Sequence, residues 1–342
     1  MKPVANPPNP FASHDCQYFE GMVPPAKLEI YEDATRTILA KNDSPDLGFT
    51  YSLNPYRGCT HACAYCYARP SHEYLGFGAG SDFDTKILVK KRAAELLRET
   101  FMKRSWAGDF IMFSGDTDCY QPLEASYKLT RACLEVCRDF GNPLGMITKS
   151  FLITRDLELL KELDLRTNLS VTLSIPFLDD KTARIIEPHA SSSSKRFEAV
   201  SLLAAAGISV GVNIAPIIPG LNDSDIPGIL KKAKECGASR AGIVLLRLPG
   251  NVKEVFISRL QQNFPMAADK IVGRIREVRG GKLYNSQFGQ RHTGTGDYWE
   301  NIRQIFKVSA EKYGLNRGFN EKRRPGFRRP SKQAEFSLEL SQ

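Results

Sequence analysis

The chain has 342 residues, ordinary hydrophobic content and a formal net charge of +9. That is enough for one large domain with extensions or for two small domains. No stretch is long and apolar enough to span a bilayer, and the first ten residues, rich in Pro and Asn, lack the apolar core of a signal peptide. Eight cysteines (Cys16, Cys59, Cys63, Cys66, Cys119, Cys133, Cys137 and Cys236) are too few to cross-link a chain of this size as a secreted disulfide scaffold. A reducing cytoplasm is the expectation.

Residues 1–48 read as an irregular N-terminal extension. A strand–helix rhythm then begins, with a strand over 49–53 that feeds the first cysteines. An extended segment over 85–89 and a helix over 93–103 follow. Next come a strand over 109–114, a long amphipathic helix over 123–140, a strand over 144–148 and a helix over 155–163. Residues 169–175 form a β-branched strand, and a serine run offers N-caps to a helix over 194–206. A strand over 209–218, a helix over 225–236, a strand over 241–248 and helices to about residue 279 complete the core. Gly280 and Gly281 end it, leaving 281–342 as a C-terminal extension.

Alternating strands and helices call for a parallel sheet with right-handed crossovers. Six such units point to an α/β fold, an incomplete (β/α)6 TIM-like barrel over 49–280. No Gly-x-Gly-x-x-Gly follows the first strand, which disfavours a dinucleotide fold. In barrels the chemistry sits at the carboxyl ends of the strands.

The first strand runs into Asn-Pro-Tyr-Arg-Gly-Cys-Thr-His-Ala-Cys-Ala-Tyr-Cys-Tyr over residues 54–67. Cys59, Cys63 and Cys66 have the spacing Cys-x3-Cys-x2-Cys with no fourth cysteine close behind. A four-iron cluster takes four thiolates, so three leave one iron open for another ligand. A structural zinc site would instead close its set of four, and His61 or His72 could complete a Cys3His site. Zinc modules are small units that fold around their metal, whereas this loop introduces a long α/β pattern. Cys133 and Cys137, four apart on a helix, read as a core face.

Polar residues gather at the other strand ends: Ser114, Gly115, Asp116, Thr117, Asp118, Cys119, Tyr120 and Gln121, then Lys149, Ser174, Asn213 and Arg247. A parallel strand buried on both faces is nearly all apolar, so such groups are costly unless paired. They are candidate ligand contacts; the alternative is that they cap helices or pair with Asp116 and Asp118. Between Gly314 and Lys332 seven basic residues face the single acid Glu321, a surplus of six that leaves +3 for the rest. With Phe319 and Phe327 interleaved, this tail suits a phosphate backbone with rings for stacking, or else it is a solvated tail.

The cysteine loop resembles the signature of the radical S-adenosylmethionine (SAM) superfamily. More of the chain is similar to a bacterial branch related to spore photoproduct lyase, the "DNA repair photolyase"-like proteins. The similar stretches include residues 36–45, Ala-Arg-Pro-Ser-His at 68–72 and Thr-Asp-Cys-Tyr-Gln-Pro at 117–122. Further ones are Thr-Lys-Ser at 148–150, Glu187–Pro188, residues 215–223, Leu-Arg-Leu-Pro at 246–249 and Phe-Gly-Gln-Arg at 288–291.

The resemblance implies a [4Fe–4S] cluster on Cys59, Cys63 and Cys66, SAM on the open iron, and a reductant such as flavodoxin or ferredoxin. It implies reductive cleavage of SAM and hydrogen abstraction from a substrate, with nucleic acid the candidate through the basic tail. The alternative is a nucleic-acid-binding module organised by a metal knot. Tyr65 would set its backbone against the adenine. Ser114, Gly115 and Asp116 stand where the superfamily has the Gly-Gly-Glu that binds the SAM amino group, with Ser and Asp departing from it. Lys149 and Ser174 resemble positions at the SAM ribose and carboxylate, Asn213 lies near the adenine motif, and Arg247 closes the cofactor set. At the lyase's hydrogen-donor cysteine this chain has Gly115; Cys119, four residues on, with Asp118 and Tyr120, forms the catalytic candidate.

Overall fold

Short strands come first in the computed structural model, which describes residues 6–7, 9–11, 27–316, 318 and 324–330. They are β1 (Glu29–Glu32), β2 (Leu39–Lys41), β3 (Tyr51–Leu53), β4 (Tyr56–Arg57) and β5 (Lys86–Val89). Longer ones follow: β6 (Ile111–Phe113), β7 (Leu144–Thr148), β8 (Leu169–Ser174), β9 (Val210–Ile217) and β10 (Arg240–Leu245). Strands β3, β6, β7, β8, β9 and β10 pair in parallel in that order, and β2 adds antiparallel to β3. This is the expected run of six parallel strands, left open because β10 and β2 are the two edges. β1, β5 and β4 make a separate small sheet, which accounts for the extended segment read before the first helix.

The helices are α1 (Ser81–Thr85), α2 (Ala93–Met102), α3 (Glu124–Tyr127), α4 (Leu129–Phe140), α5 (Leu157–Arg166) and α6 (Asp180–Ile186). After them come α7 (Ser193–Ala205), α8 (Ile226–Glu235), α9 (Val252–Asn263), α10 (Ala268–Glu277) and α11 (Asp297–Lys312). Ser192 caps α7 by accepting from the Lys195 N–H, as the serine run predicts. On α4, Cys133, Leu134, Cys137 and Phe140 are fully buried on one face, so the two cysteines are core residues.

Three sequence expectations change. The helix read over 123–140 is broken at Lys128, which takes a left-handed φ of 53°. The buried Glu124 carboxylate then accepts from the Thr130 and Arg131 N–H groups at the start of α4, where negative charge is favoured. Second, the segment 1–48 is not wholly irregular: β1 and β2 lie within it, and β2 gives the first barrel strand a partner. Third, the segment after residue 280 joins the barrel, since Trp299, Ile302, Ala310 and Leu315 enter the main core. It also covers the open edge of β10, where the Ala241 N–H donates to the Leu315 carbonyl and the Leu245 N–H to that of His292.

The same segment reaches the other edge of the open sheet. Asp46, in the loop joining β2 to β3, accepts from the Gly289 N–H (2.6 Å) and pairs with Arg291 (2.5 Å). Arg279 holds this span from behind, donating to the carbonyls of Leu246, Gln290, Arg291 and Thr293. The gap between the two edges is bridged there by loops.

Candidate active site

The cysteine loop leaves β3 at its carboxyl end, and every turn of it is tied to a neighbour. Gly58 turns with φ 76°, and a Cβ there would meet the Phe83 carbonyl oxygen at 2.9 Å. Gln121, after β6, accepts from the Thr60 N–H (3.0 Å) and donates to the Gly58 carbonyl (3.1 Å). Asn54 accepts from the Asp116 and Thr117 N–H groups. Arg69, buried, donates twice to the Cys63 carbonyl and pairs with Asp84 at 2.9 Å. The Ala64 N–H donates to Ile186, and the His189 N–H to His61.

Beneath the loop lies a charged trio. The Tyr65 hydroxyl donates to Glu187, which pairs with the equally buried Arg196 at 2.5 Å. Arg196 also donates to the Ser174 and Ser191 carbonyls. Burial first, then the Glu187 charge, pushes the Tyr65 phenol far up, so it stays a donor.

Cys59, Cys63 and Cys66 all line one cavity of about 300 Å³ at the carboxyl ends of the barrel strands. The strand-end residues Ser114, Gly115, Asp116, Asp118, Lys149, Ser174, Asn213 and Arg247 line it too, with Tyr65. The separate strand ends picked out in the sequence are thus one site. Burial pushes all three thiols up; coordination to iron or zinc would reverse this, because a ligating thiol is deprotonated.

The donor set suits a cluster with an open position. His72 is absent from the cavity wall; it packs on Phe83 and Phe77, with Nε2 on the Lys86 carbonyl at 2.8 Å. His61 is at the wall, with its Nδ1 3.5 Å from Asp118.

Asp118 is engaged rather than free. It accepts from the Thr148 hydroxyl (2.7 Å) and from the Lys149 (2.8 Å) and Tyr120 (2.9 Å) N–H groups. Burial opposes its ionisation, but His61, Thr148 and the Lys149 N–H outweigh it and hold the carboxyl far below the usual range. Asp116 shows the opposite balance: burial pushes it up to about 6, against the pull of Lys90 and Arg57. Lys149 sits 5.8 Å over the Tyr65 ring; burial would lower it, but Cys63, Glu187 and Asp118 keep it raised.

Cys119 and Tyr120 are not in this site. Both are fully buried and absent from the cavity wall. The Cys119 N–H donates to the Ser114 hydroxyl and its carbonyl accepts from Thr130, while the Tyr120 hydroxyl donates to Asp156 at 3.0 Å. They are core residues, and the hydrogen-donor role expected of Cys119 has no geometric support. Sequence reasoning missed His292, which lines the cavity from the segment beyond residue 280, and missed Arg196. The stretch ending at Arg291 was the only signal near His292.

The tail lies at the other end of the barrel. Phe327 stacks on Phe140 and edges onto Phe101, at the turns that precede β6 and β7. Arg324 pairs with Asp164, and Arg329 donates to the Phe101, Lys103 and Trp106 carbonyls. Arg324, Arg329 and Phe327 are docked on protein, while Arg328 is exposed, its N–H donating to the Phe140 carbonyl. Arg317, Phe319, Lys322, Arg323 and Lys332 lie outside the described residues, as does Cys16.

Residues 53–233 match the model of the Radical SAM superfamily. An uncharacterized protein of Mycobacterium tuberculosis is 35% identical over 234 residues, 68% of each chain. The radical SAM Nalpha-GlyT isomerase of Pseudomonas phage M6 is 25% identical over 83% of this chain and 56% of its own. In fold, the chain resembles spore photoproduct lyase complexed with dinucleoside spore photoproduct (TM-score 0.58, 16% identity, 83% of this chain and 79% of that one).

Proposed function

Because the chain belongs to the radical SAM superfamily, whose enzymes use a [4Fe–4S] cluster and SAM, we propose that Cys59, Cys63 and Cys66 hold the cluster and that the substrate is a nucleic acid or nucleotide. Held by these three thiolates, a [4Fe–4S] cluster with an external reductant would supply the reductive cleavage of SAM and, through it, hydrogen-atom abstraction from substrate. The observation that carries this reading is the convergence of the three thiols and the polar strand ends on one cavity.

The chain's own residues supply position and charge. Lys149 lies in the field of Cys63 and Cys66 and offsets part of the negative charge that three thiolates bring. Asp116 is the acid available to an amino group, Ser174 and Asn213 offer a hydroxyl and an amide to a ribose or base, and Glu187 holds the Tyr65 hydroxyl. Leu47, Phe49, Met112 and Val244 on the same wall exclude water from the reacting atoms. The nucleic-acid assignment draws on the dinucleoside held by spore photoproduct lyase and on the cations around the cavity. Radical SAM enzymes need an external reductant, and flavodoxin or ferredoxin is the proposed donor. Among the described residues no helix is long and apolar enough to cross a membrane.

The test is anaerobic reconstitution with iron and sulfide, dithionite reduction, and chromatography for 5′-deoxyadenosine after addition of SAM. Product that vanishes in Cys59→Ala, Cys63→Ala and Cys66→Ala is expected. A colourless protein holding stoichiometric zinc and making no product would sink the reading.

A further inference from the structure

We propose that Arg247 and His292 form an anion seat on the cavity wall that takes a phosphate of the substrate. This rests on the nucleic-acid reading above and specifies how such a substrate is held. Both side chains line the cavity, and each keeps a buried nitrogen, Arg247 Nε and His292 Nε2, with no hydrogen-bond partner among the described residues. Buried polar nitrogens are nearly always satisfied; the Nε atoms of Arg279 and Arg291 share this lack of a hydrogen-bond partner, but only Arg247 and His292 belong to the cavity wall, where a partner can arrive from outside.

The surroundings make that partner an anion. Arg279 lies behind, donating to the Leu246 carbonyl on one side and those of Gln290, Arg291 and Thr293 on the other, and so holds the two residues side by side. The Leu245 N–H to His292 carbonyl bond (3.1 Å) fixes the same register. Asp46, whose charge acts on His292, is itself paired with Arg291 and the Gly289 N–H. A guanidinium fork beside an imidazole matches the oxygens of a phosphate.

Position distinguishes this seat from the cofactor's. Lys149 is the cation in the field of Cys63 and Cys66. The Arg247 guanidinium instead lies 5.0 Å over the Tyr67 ring, which is 43% exposed and marks the outward side of the cavity.

The experiment measures binding to the full-length reconstituted protein by equilibrium dialysis, with SAM cleavage by the wild type followed in parallel. The probes are a dinucleotide with one phosphodiester and no terminal phosphate, the same dinucleotide with an uncharged methylphosphonate link, and a nucleoside 5′-monophosphate. A charge-assisted contact of about 1.5–3 kcal/mol corresponds to a preference of roughly 10- to 100-fold for the phosphodiester over the uncharged link. Arg247→Met should abolish that preference, His292→Phe should reduce it, and Arg247→Lys should keep part of it. Tighter binding of the monophosphate than of the dinucleotide would support the seat with a free nucleotide as its source. Equal binding of charged and uncharged probes by the wild type would overturn the proposal without any variant. So would an Arg247→Met protein that binds SAM poorly yet keeps the phosphodiester preference, or a wild type that binds none of the probes. A wild type that makes no 5′-deoxyadenosine, whatever it binds, marks failure of the enzymatic reading instead.

Discussion

At the amino ends of the barrel strands, Arg329 gives its guanidinium to three backbone carbonyls and Arg324 pairs with Asp164, beside a Phe327 ring stacked on Phe140. At the carboxyl ends, Arg247 touches one ring face and leaves a buried nitrogen unmatched, and Lys149 likewise faces a ring. The same residue types thus serve two purposes, and charge density, which is highest in the tail, does not tell them apart. Partners and place separate the ends: Arg324 and Arg329 are engaged by a carboxylate or by backbone carbonyls, whereas Arg247 is a residue of the cavity wall, where a ligand can reach it. The buried Glu187–Arg196 pair belongs to the first kind although it sits under the second.

The sharpest break between the ends comes from the thiols. Cys63→Ala should reduce 5′-deoxyadenosine to background and lower bound iron, while Cys133→Ala, in the core face of α4, should leave both in place; iron assay and product chromatography decide it. Next in size is Arg196→Met, which strands the Glu187 carboxylate in the core at a cost of about 3–5 kcal/mol. A denaturant melt reads that loss, and visible absorbance reads the poorer cluster uptake expected when Glu187, the partner of Tyr65, loses its counter-ion. Replacing both partners, Glu187→Gln with Arg196→Met, should recover part of the stability, since no lone charge remains.

At the opposite end, Phe327→Ala should cost about 1–2 kcal/mol, less than full burial of a Phe because its ring is only partly covered. SAM cleavage and nucleic-acid affinity should not move. A loss of affinity without a loss of stability would return the tail to the role its composition suggests. The smallest effect is expected from Cys119→Ala, about 1 kcal/mol for a trimmed core side chain. Turnover on substrate should persist; its loss with SAM cleavage intact would reinstate Cys119 as a hydrogen donor.

Much of the frame was legible because it is periodic or local. The strand–helix alternation, the Cys-x3-Cys-x2-Cys loop and the polar residues at strand ends are each visible within a short window, and together they place the cavity. What escaped is non-local. Tyr65 and Glu187 are separated by 122 residues and Thr60 and Gln121 by 61, and no local pattern pairs them. His292 comes to the wall only because Arg279 and the β10 edge hold its loop there. Cys119 misled because residues 114–118 just before it line the cavity, while Cys119 and Tyr120 belong to the core. The break at Lys128 was hidden because the apolar pattern on either side continues unchanged, and only the carboxylate of Glu124 marks where α4 begins.

The Asp46–Arg291 clasp has a bearing on the order in which the molecule is assembled. Arg291 and Ser44 meet across 247 residues of chain, and closing so long a loop carries a large entropic cost that only the finished sheet can offset. Strands β3 to β10 can pair neighbour by neighbour, but the wall carrying His292 comes last. The cysteine loop therefore exists as a folded, outward-facing cradle before its enclosure does, and a nascent chain ending short of residue 291 would still leave the three thiols within reach of a cluster donor.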